Sequence, residues 1–366
     1  MRLAFAIVSF FPWGGLQRDC LRLARAAADA RHEVTIFAAR TRGELPSGLD
    51  IRVLPVRAFT NHGRNRRFAH ALAGEAGAFD RVIGFDKMPG LDVLYCADMC
   101  FADRKQGFWS KLNPRDRAML ALEAACFGQG SRTRVLALAE RQVAGYRRAW
   151  GTPAERIMLL PPPIEAARRH PEFRHDGTRQ RMRANLGLGA GTLVWLAVGG
   201  WPHTKGFDRI VAALPAVPQA MLLVCGVDAR SRAGADLIRE ARRSGVADRV
   251  QLLGSREDVP QLMAATDLLV HPARTETTGT VILEAIINGL PAVVTEECGF
   301  SSHVRNADGG IVIPAPFTSW KLMDSLQCAT EPSRRETWSR NAAAYGANAE
   351  LYSGIDKALA VIVDAA

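Results

Sequence analysis

Apolar residues along this chain fall in short unbroken runs separated by stretches of helical period. RLAFAIVSF (2–10) is the first run, and Leu16, Cys20, Leu23, Ala24 and Ala27 then recur on one helical face. HEVTIFAA, IRVLPV, RVIGF and VLYCAD follow as further strands. Runs that are apolar throughout, rather than alternating, suit parallel strands buried on both faces. The pattern restarts near Thr192. LVWLAVGG, MLLVCGV, RVQLLG, DLLVHPA, PAVVTE and GIVIP read as strands, with FDRIVAAL, ADLIREARRSG, DVPQLMAAT and TVILEAIINGL as helices among them.

Between the two series lies LLPPPIEAARRHPEF, whose consecutive Pro161, Pro162 and Pro163 cannot continue a helix or a central strand. A linker is expected near residues 160–175. The fold class is therefore α/β, with two Rossmann-like, doubly wound parallel-sheet domains at 1–165 and 166–345. LYSGIDKALAVIV, within a last helix at about 346–366, is expected to cross back onto the first domain. Such sheets bind ligands outside the carboxyl ends of their strands, so both domains are expected to face one cleft.

Composition narrows the partners. The chain has 366 residues, 48% hydrophobic and 23% charged, as in a globular protein, and no run of apolar residues approaches a membrane span. Its start reads as a strand rather than a leader, because only Arg2 is basic and no small-residue cleavage site follows. A net charge of +10 points to an anionic partner: nucleic acid, acidic lipid or a phosphorylated substrate. The basic residues form separate clusters (Arg64, Arg66 and Arg67; Arg147 and Arg148; Arg179, Arg181 and Arg183) without a nucleic-acid module, so no nucleic acid is expected. The seven cysteines are scattered, lack a CxxC pair and read as reduced thiols.

The densest chemistry lies in HPARTETTGTVILEAIINGLPAVVTEECG (271–299). Glu276 follows a strand, and Glu284 stands eight residues on, inside a helix that starts near Thr278, Gly279 and Thr280. Free N–H groups and the dipole at such a start favour an anion such as pyrophosphate, with Gly279 allowing close approach. Glu284 could accept hydrogen bonds from a ribose diol, and Glu276 from a sugar. The spacing alone is common, but Gly199-Gly200, Lys205-Gly206 and Arg256 stand at equivalent strand ends. Together they suit a nucleoside diphosphate carrying a sugar. In FFPWGGLQRDC (10–20), Gly14 and Gly15 match neither GxGxxG nor a P-loop. No two aspartates are separated by one residue, and GxSxG and HExxH are absent, so no metal and no other cofactor is expected.

Glu276, Glu284, Lys205 and Gly14-Gly15 together resemble the retaining glycosyltransferases of family 4, which have the GT-B fold. FFPWGGLQRD, TNHGRN, RVIGFDKMPGLDV, ADMCF and ILEAIINGLP are similar more narrowly to the lipopolysaccharide core glucosyltransferase I group. That resemblance implies transfer of a hexose, typically glucose from UDP-glucose, onto the inner-core heptose of lipopolysaccharide. It implies that Gly15, beside Gly14, admits the donor and that Asp19 faces the site. Lys205 would neutralise the leaving diphosphate and Arg256 support the nucleotide. Glu276 would hold donor-sugar hydroxyls, Glu284 the ribose, and Asp98 would lie on the acceptor side.

Three departures bear on the sugar. Thr204-Lys205 stands where Arg-Lys is usual, Glu276-Thr277-Thr278-Gly279 where Glu-Ala-Ala-Gly is usual, and Asp86 where Asn is usual. The segment 101–127 mixes Arg104, Lys105, Lys111, Arg115 and Arg117 with Phe101, Phe108 and Trp109. Basic groups beside aromatics suit an anionic lipid surface, and the resemblance implies the cytoplasmic face of the inner membrane. A monomer is expected. Two other readings stay open: a family 4 enzyme with another UDP-hexose or N-acetylhexosamine and a different acceptor, and a two-domain sugar-nucleotide-binding protein without catalysis.

Overall fold

The computed structural model of the chain describes residues 1–11, 14–104 and 113–364, with Arg104 described in its backbone alone. Two compact units result, Met1–Pro163 with Glu350–Ala366 and Ile164–Ala349.

The first unit is built on strands β1 (Arg2–Phe10), β2 (Glu33–Thr41), β3 (Asp50–Val53), β4 (Arg81–Gly84), β5 (Val93–Cys96), β6 (Arg134–Ala137) and β7 (Ile157–Leu159). They form one sheet in the order β3-β2-β1-β4-β5-β6-β7, with every pairing parallel. Because side chains alternate along a strand, β1 sends Leu3, Phe5 and Ile7 to one face and Ala4, Ala6 and Val8 to the other. Each set sits in its own buried apolar cluster, which accounts for the unbroken run in the sequence. IRVLPV does not stay in the sheet to Val56. β3 is the edge strand and stops at Val53, two residues before Pro55, which has no N–H to give a ladder.

The helix Gly15–Asp29 buries Cys20, Leu23, Ala24 and Ala27, the face read from its period. Against it packs the last helix, Gly354–Asp364, through Ile355, Ala358 and Ile362. Gly354 stands where any side chain would overlap the carbonyls of Pro161 and Pro162, so the start of this helix rests on the proline run.

The second unit carries β8 (Leu193–Val198), β9 (Ala220–Cys225), β10 (Val250–Gly254), β11 (Leu268–His271), β12 (Ala292–Thr295) and β13 (Gly310–Ile313). Their order is β10-β9-β8-β11-β12-β13, again parallel throughout. Trp195 and Ala197 of β8 join one buried cluster, Val194 and Leu196 the other. Both units thus have the doubly wound design. All seven cysteines are free, six of them buried.

The first unit also contains a buried ion pair. Lys87 Nζ lies 2.7 Å from Glu123 Oε1 and 5.2 Å from the centre of the Tyr146 ring. Glu123 is 0% exposed and further accepts the backbone N–H groups of Phe101 and Ala102, both at 2.8 Å, and Trp150 Nε1 at 3.1 Å. Burial opposes its ionisation, but the Lys87 ammonium and these donors hold its carboxyl below the usual range. Removing one partner of such a pair leaves an uncompensated charge, at a cost of about 3–5 kcal/mol. Lys87→Met should therefore lower the urea midpoint by the equivalent of about 3 kcal/mol. An unchanged midpoint would show that the remaining hydrogen-bond donors stabilise Glu123 without Lys87.

Candidate active site

The second unit gathers its chemistry at the carboxyl ends of β8, β10 and β11. β11 ends at His271, and the chain then runs through Glu276 to the helix Thr280–Ile287. Gly279, at φ +83°, makes the entry: a Cβ there would lie 2.8 Å from Ile282 Cδ1 and 3.1 Å from Glu276 Cγ. No side chain caps this helix; Ile282 N turns back to Gly279 O at 2.8 Å, and the N–H groups of Thr280 and Val281 keep their polarity for a ligand. The loop is fastened from behind. Glu276 and Cys298 form a parallel bridge, Gly299 N donates to Glu276 O at 3.2 Å, and Phe300 N donates to Thr278 O at 2.7 Å.

Glu276 is the centre of the cluster. Its Oε2 accepts a hydrogen bond from Lys205 Nζ and lies 3.3 Å from Nε2 of the fully buried His271. Burial raises the proton affinity of Glu276, but the His271 hydrogen bond and the Lys205 ammonium outweigh it and hold the carboxyl down at about 2. For His271 burial wins over its bond to Glu276, so its pKa is lowered and the ring is neutral at pH 7. The carboxylate is therefore a pure acceptor with one oxygen engaged, suited to hydroxyl donors. Burial pushes the neighbouring Cys298 thiol up to about 12, so it carries no charge here.

Lys205 is placed by backbone constraints. Gly206, at φ +75°, closes the short helix Pro202–Lys205, and a side chain there would overlap the Pro272 carbonyl oxygen. Arg274 locks the same turn: it pairs with both Asp208 oxygens at 2.8 and 2.6 Å, donates to His203 O at 2.5 Å, and its backbone N donates to Thr204 O at 2.8 Å. An ammonium so held, beside free helix N–H groups, can neutralise a diphosphate.

The other expected residues have definite partners. Glu284 is 7% exposed and pairs with Arg168 at 2.6 Å; Arg168 belongs to the segment read as linker. Asn288 ties that segment down, accepting from His170 N at 2.6 Å and donating to Arg168 O at 2.9 Å. Arg256 is forked onto Asp258 at 2.8 and 2.6 Å. Thr277, Thr278 and Thr280 are half-buried beside Glu276.

In the first unit, Gly14 and Gly15 follow β1. A Cβ on Gly14 would collide with Gln17, whereas nothing lies within 4 Å of one on Gly15. Asp19 accepts from Tyr95 Oη at 3.0 Å and is 3.9 Å from Arg22. Asp98 is exposed just beyond β5, its carbonyl fixed by Gln142 and Tyr146. Asp86, beyond β4, accepts Val8 N at 2.7 Å, and burial pushes its carboxyl up to about 6. Arg115 and Arg117 are exposed on the helix Pro114–Phe127. Lys105, Phe108, Trp109 and Lys111, and the side chain of Arg104, lie outside the described residues. Among the described residues, no group of three or more His, Cys, Asp or Glu could hold a metal, and no helix is long and apolar enough to cross a membrane.

His271, Arg274, Asp208 and Arg168 escaped the sequence reading. His271 and Arg274 stand in the same HPARTE stretch as Glu276, which was the available signal.

Comparison with known proteins agrees with this geometry. Residues 178–344 match the family of glycosyl transferases group 1. The lipopolysaccharide glucosyltransferase WaaG of Escherichia coli K12 is 36% identical over 373 aligned positions, covering 99% of this chain and 98% of the relative. The chain belongs to the WaaG family of glycosyltransferases. A crystal structure of WaaG superposes with a TM-score of 0.91, covering 99% of this chain and 100% of that one. The chain therefore has the GT-B fold of that retaining family 4 group. Anabaena HepE in complex with UDP-glucose, 20% identical over the full length of both chains at a TM-score of 0.77, shares the fold.

Two outcomes test the site. Arg274→Ala should lower kcat/KM by roughly tenfold to a hundredfold, by letting Lys205 shift while it remains present; unchanged kinetics would remove Arg274 from the positioning role. Below pH 6.5 an unfolded histidine takes a proton that folded His271 resists, so stability falls as pH falls. His271→Gln should flatten this acid-side loss in thermal melts at a series of pH values.

Proposed function

We propose that this glycosyltransferase moves glucose from UDP-glucose onto the inner-core heptose of lipopolysaccharide, with retention at the anomeric carbon. The observation that carries the reading is the contact of Lys205 with Glu276 at the carboxyl edge of the second sheet. The full-length similarity to WaaG supplies the sugar and the acceptor.

The bond from the glucosyl anomeric carbon to the β-phosphate oxygen breaks, and one to the acceptor hydroxyl oxygen forms on the same face. The acceptor proton passes to the leaving phosphate, and UDP departs. Lys205 and the free N–H groups of the helix Thr280–Ile287 stabilise the charge that grows on this phosphate, the largest catalytic contribution. Glu276, ionised and already fixed by Lys205 and His271, accepts hydrogen bonds from donor-sugar hydroxyls. Arg256 serves the nucleotide side and Glu284 the ribose. Gly14, Gly15 and Asp19 are assigned to the donor, and Asp98 to the acceptor. No metal is required, since Lys205 supplies the positive charge. The enzyme works as a monomer on the cytoplasmic face of the inner membrane, with Arg115 and Arg117 contributing to attraction by anionic lipid.

A second reading rests on Thr277 and Thr278: two hydroxyl-bearing residues beside Glu276 can select a galactose epimer or an acetamido sugar. A panel of UDP-glucose, UDP-galactose and their N-acetyl forms, read by nucleotide release with purified core acceptor, decides between them. Turnover is expected with UDP-glucose, and Glu276→Ala should reduce it by about a hundredfold or more without loss of folding. Near-normal turnover in that variant would sink the role of Glu276.

A further inference from the structure

At the opposite edge of the second sheet from Lys205 lies a cavity of about 710 Å³. Asp267, just before β11, and Pro291, just before β12, line it, so it lies at the amino-terminal ends of these strands. Arg174, Arg179, Arg335 and Arg340 line it.

Three carboxylates, Glu172, Asp267 and Glu336, also line it, Glu172 lying 3.0 Å from His170, so the four arginines, with Arg183 behind them, leave a positive excess. Arg179 pairs with Asp267 at 2.6 Å, and Arg340 lies 3.3 Å from Glu336. Arg183, behind Arg179, draws on the same Asp267 at 3.6 Å. Arg174 and Arg335 have no carboxylate within ion-pair distance among the described residues. Arg174 donates only to the carbonyls of Met263 at 3.0 Å and Thr266 at 3.2 Å, and Arg335 to that of Ala329 at 2.7 Å. Carbonyls satisfy N–H groups but leave the net charge in place. Burial and then the like charge of Arg179 press the Arg174 pKa down to about 10.

We propose that this cavity binds a phosphorylated small molecule, with its phosphoryl group taken between Arg174, Arg179 and Arg335. A phosphate supplies the missing counter-charge, and planar guanidinium groups match its oxygens in pairs. The volume falls in the range of small-ligand pockets. Pro171, Pro291, Pro332 and Ala343 give it apolar walls for the body of the ligand. The site is separate from the donor chemistry, because Lys205 and Glu276 follow the carboxyl ends of the same sheet. It is nevertheless connected to it. Gly289 on the cavity wall lies two residues beyond the helix Thr280–Ile287, which starts at the candidate active site and carries Glu284.

The test is calorimetry on the full chain saturated with UDP, so that the donor site is filled. Inorganic phosphate, a hexose 6-phosphate and a nucleoside triphosphate are titrated in turn, and the tightest binder identifies the source of the phosphoryl group. One further site per chain is expected. Arg335→Gln should weaken binding by about tenfold, the loss of one charged hydrogen bond. Ala343→Glu, which disturbs none of the arginine–carbonyl bonds, should weaken it by at least as much through repulsion. Both variants should bind UDP as the wild type does. Failure of all three probes to bind the UDP-saturated wild type, or unchanged binding in both variants, overturns the proposal.

Discussion

A parallel strand delivers its chemistry at one end, and the second unit is organised around that constraint. Its central strands are buried on both faces, so polar side chains gather at the strand ends and in the loops that leave the sheet. At the carboxyl edge those loops place one ammonium against one carboxylate. The pair survives partial burial because His271, Gly206 and Arg274 settle its geometry before any ligand arrives. A flexible lysine alone would lose much of its attraction to the entropy of being held. Here the surrounding backbone has already met that cost.

The same rule explains why so many arginines in this chain touch carbonyls. Arg174, Arg179 and Arg183 donate to the carbonyls of residues 263–266, where the helix Val259–Ala265 ends, and Arg249 donates to four carbonyls between Leu214 and Ala220. Helix ends leave carbonyl groups without partners, and a guanidinium can meet several at once. Much of the positive charge is therefore structural. The net charge alone overstates how much of it is available to an anionic partner.

The alternation of strands and helices was legible because buried parallel strands must be apolar throughout, as in RLAFAIVSF. β6 and β7 were not, since RVLA and IML are too short to stand out among polar neighbours. Glu276 and Lys205 were legible as residues but not as neighbours, for 71 positions separate them. His271 was hidden because a lone histidine at a strand end has no periodicity. Arg168 was hidden for another reason: proline-rich sequence suggests a passive linker, whereas this segment supplies the partner of Glu284.

Gly206 shows what this arrangement permits. Its backbone lies against the carbonyl of Pro272 and Arg274 N donates to Thr204 O, so the Lys205 turn and the Glu276 loop are joined main chain to main chain as well as through the Arg274 side chain. Residues 277 and 278 stand outside that joint. In the proposed reaction, substitution there can alter which hydroxyls are recognised while the Lys205 charge at the leaving phosphate stays in register. A scaffold of this kind can diversify its sugar without rebuilding its engine.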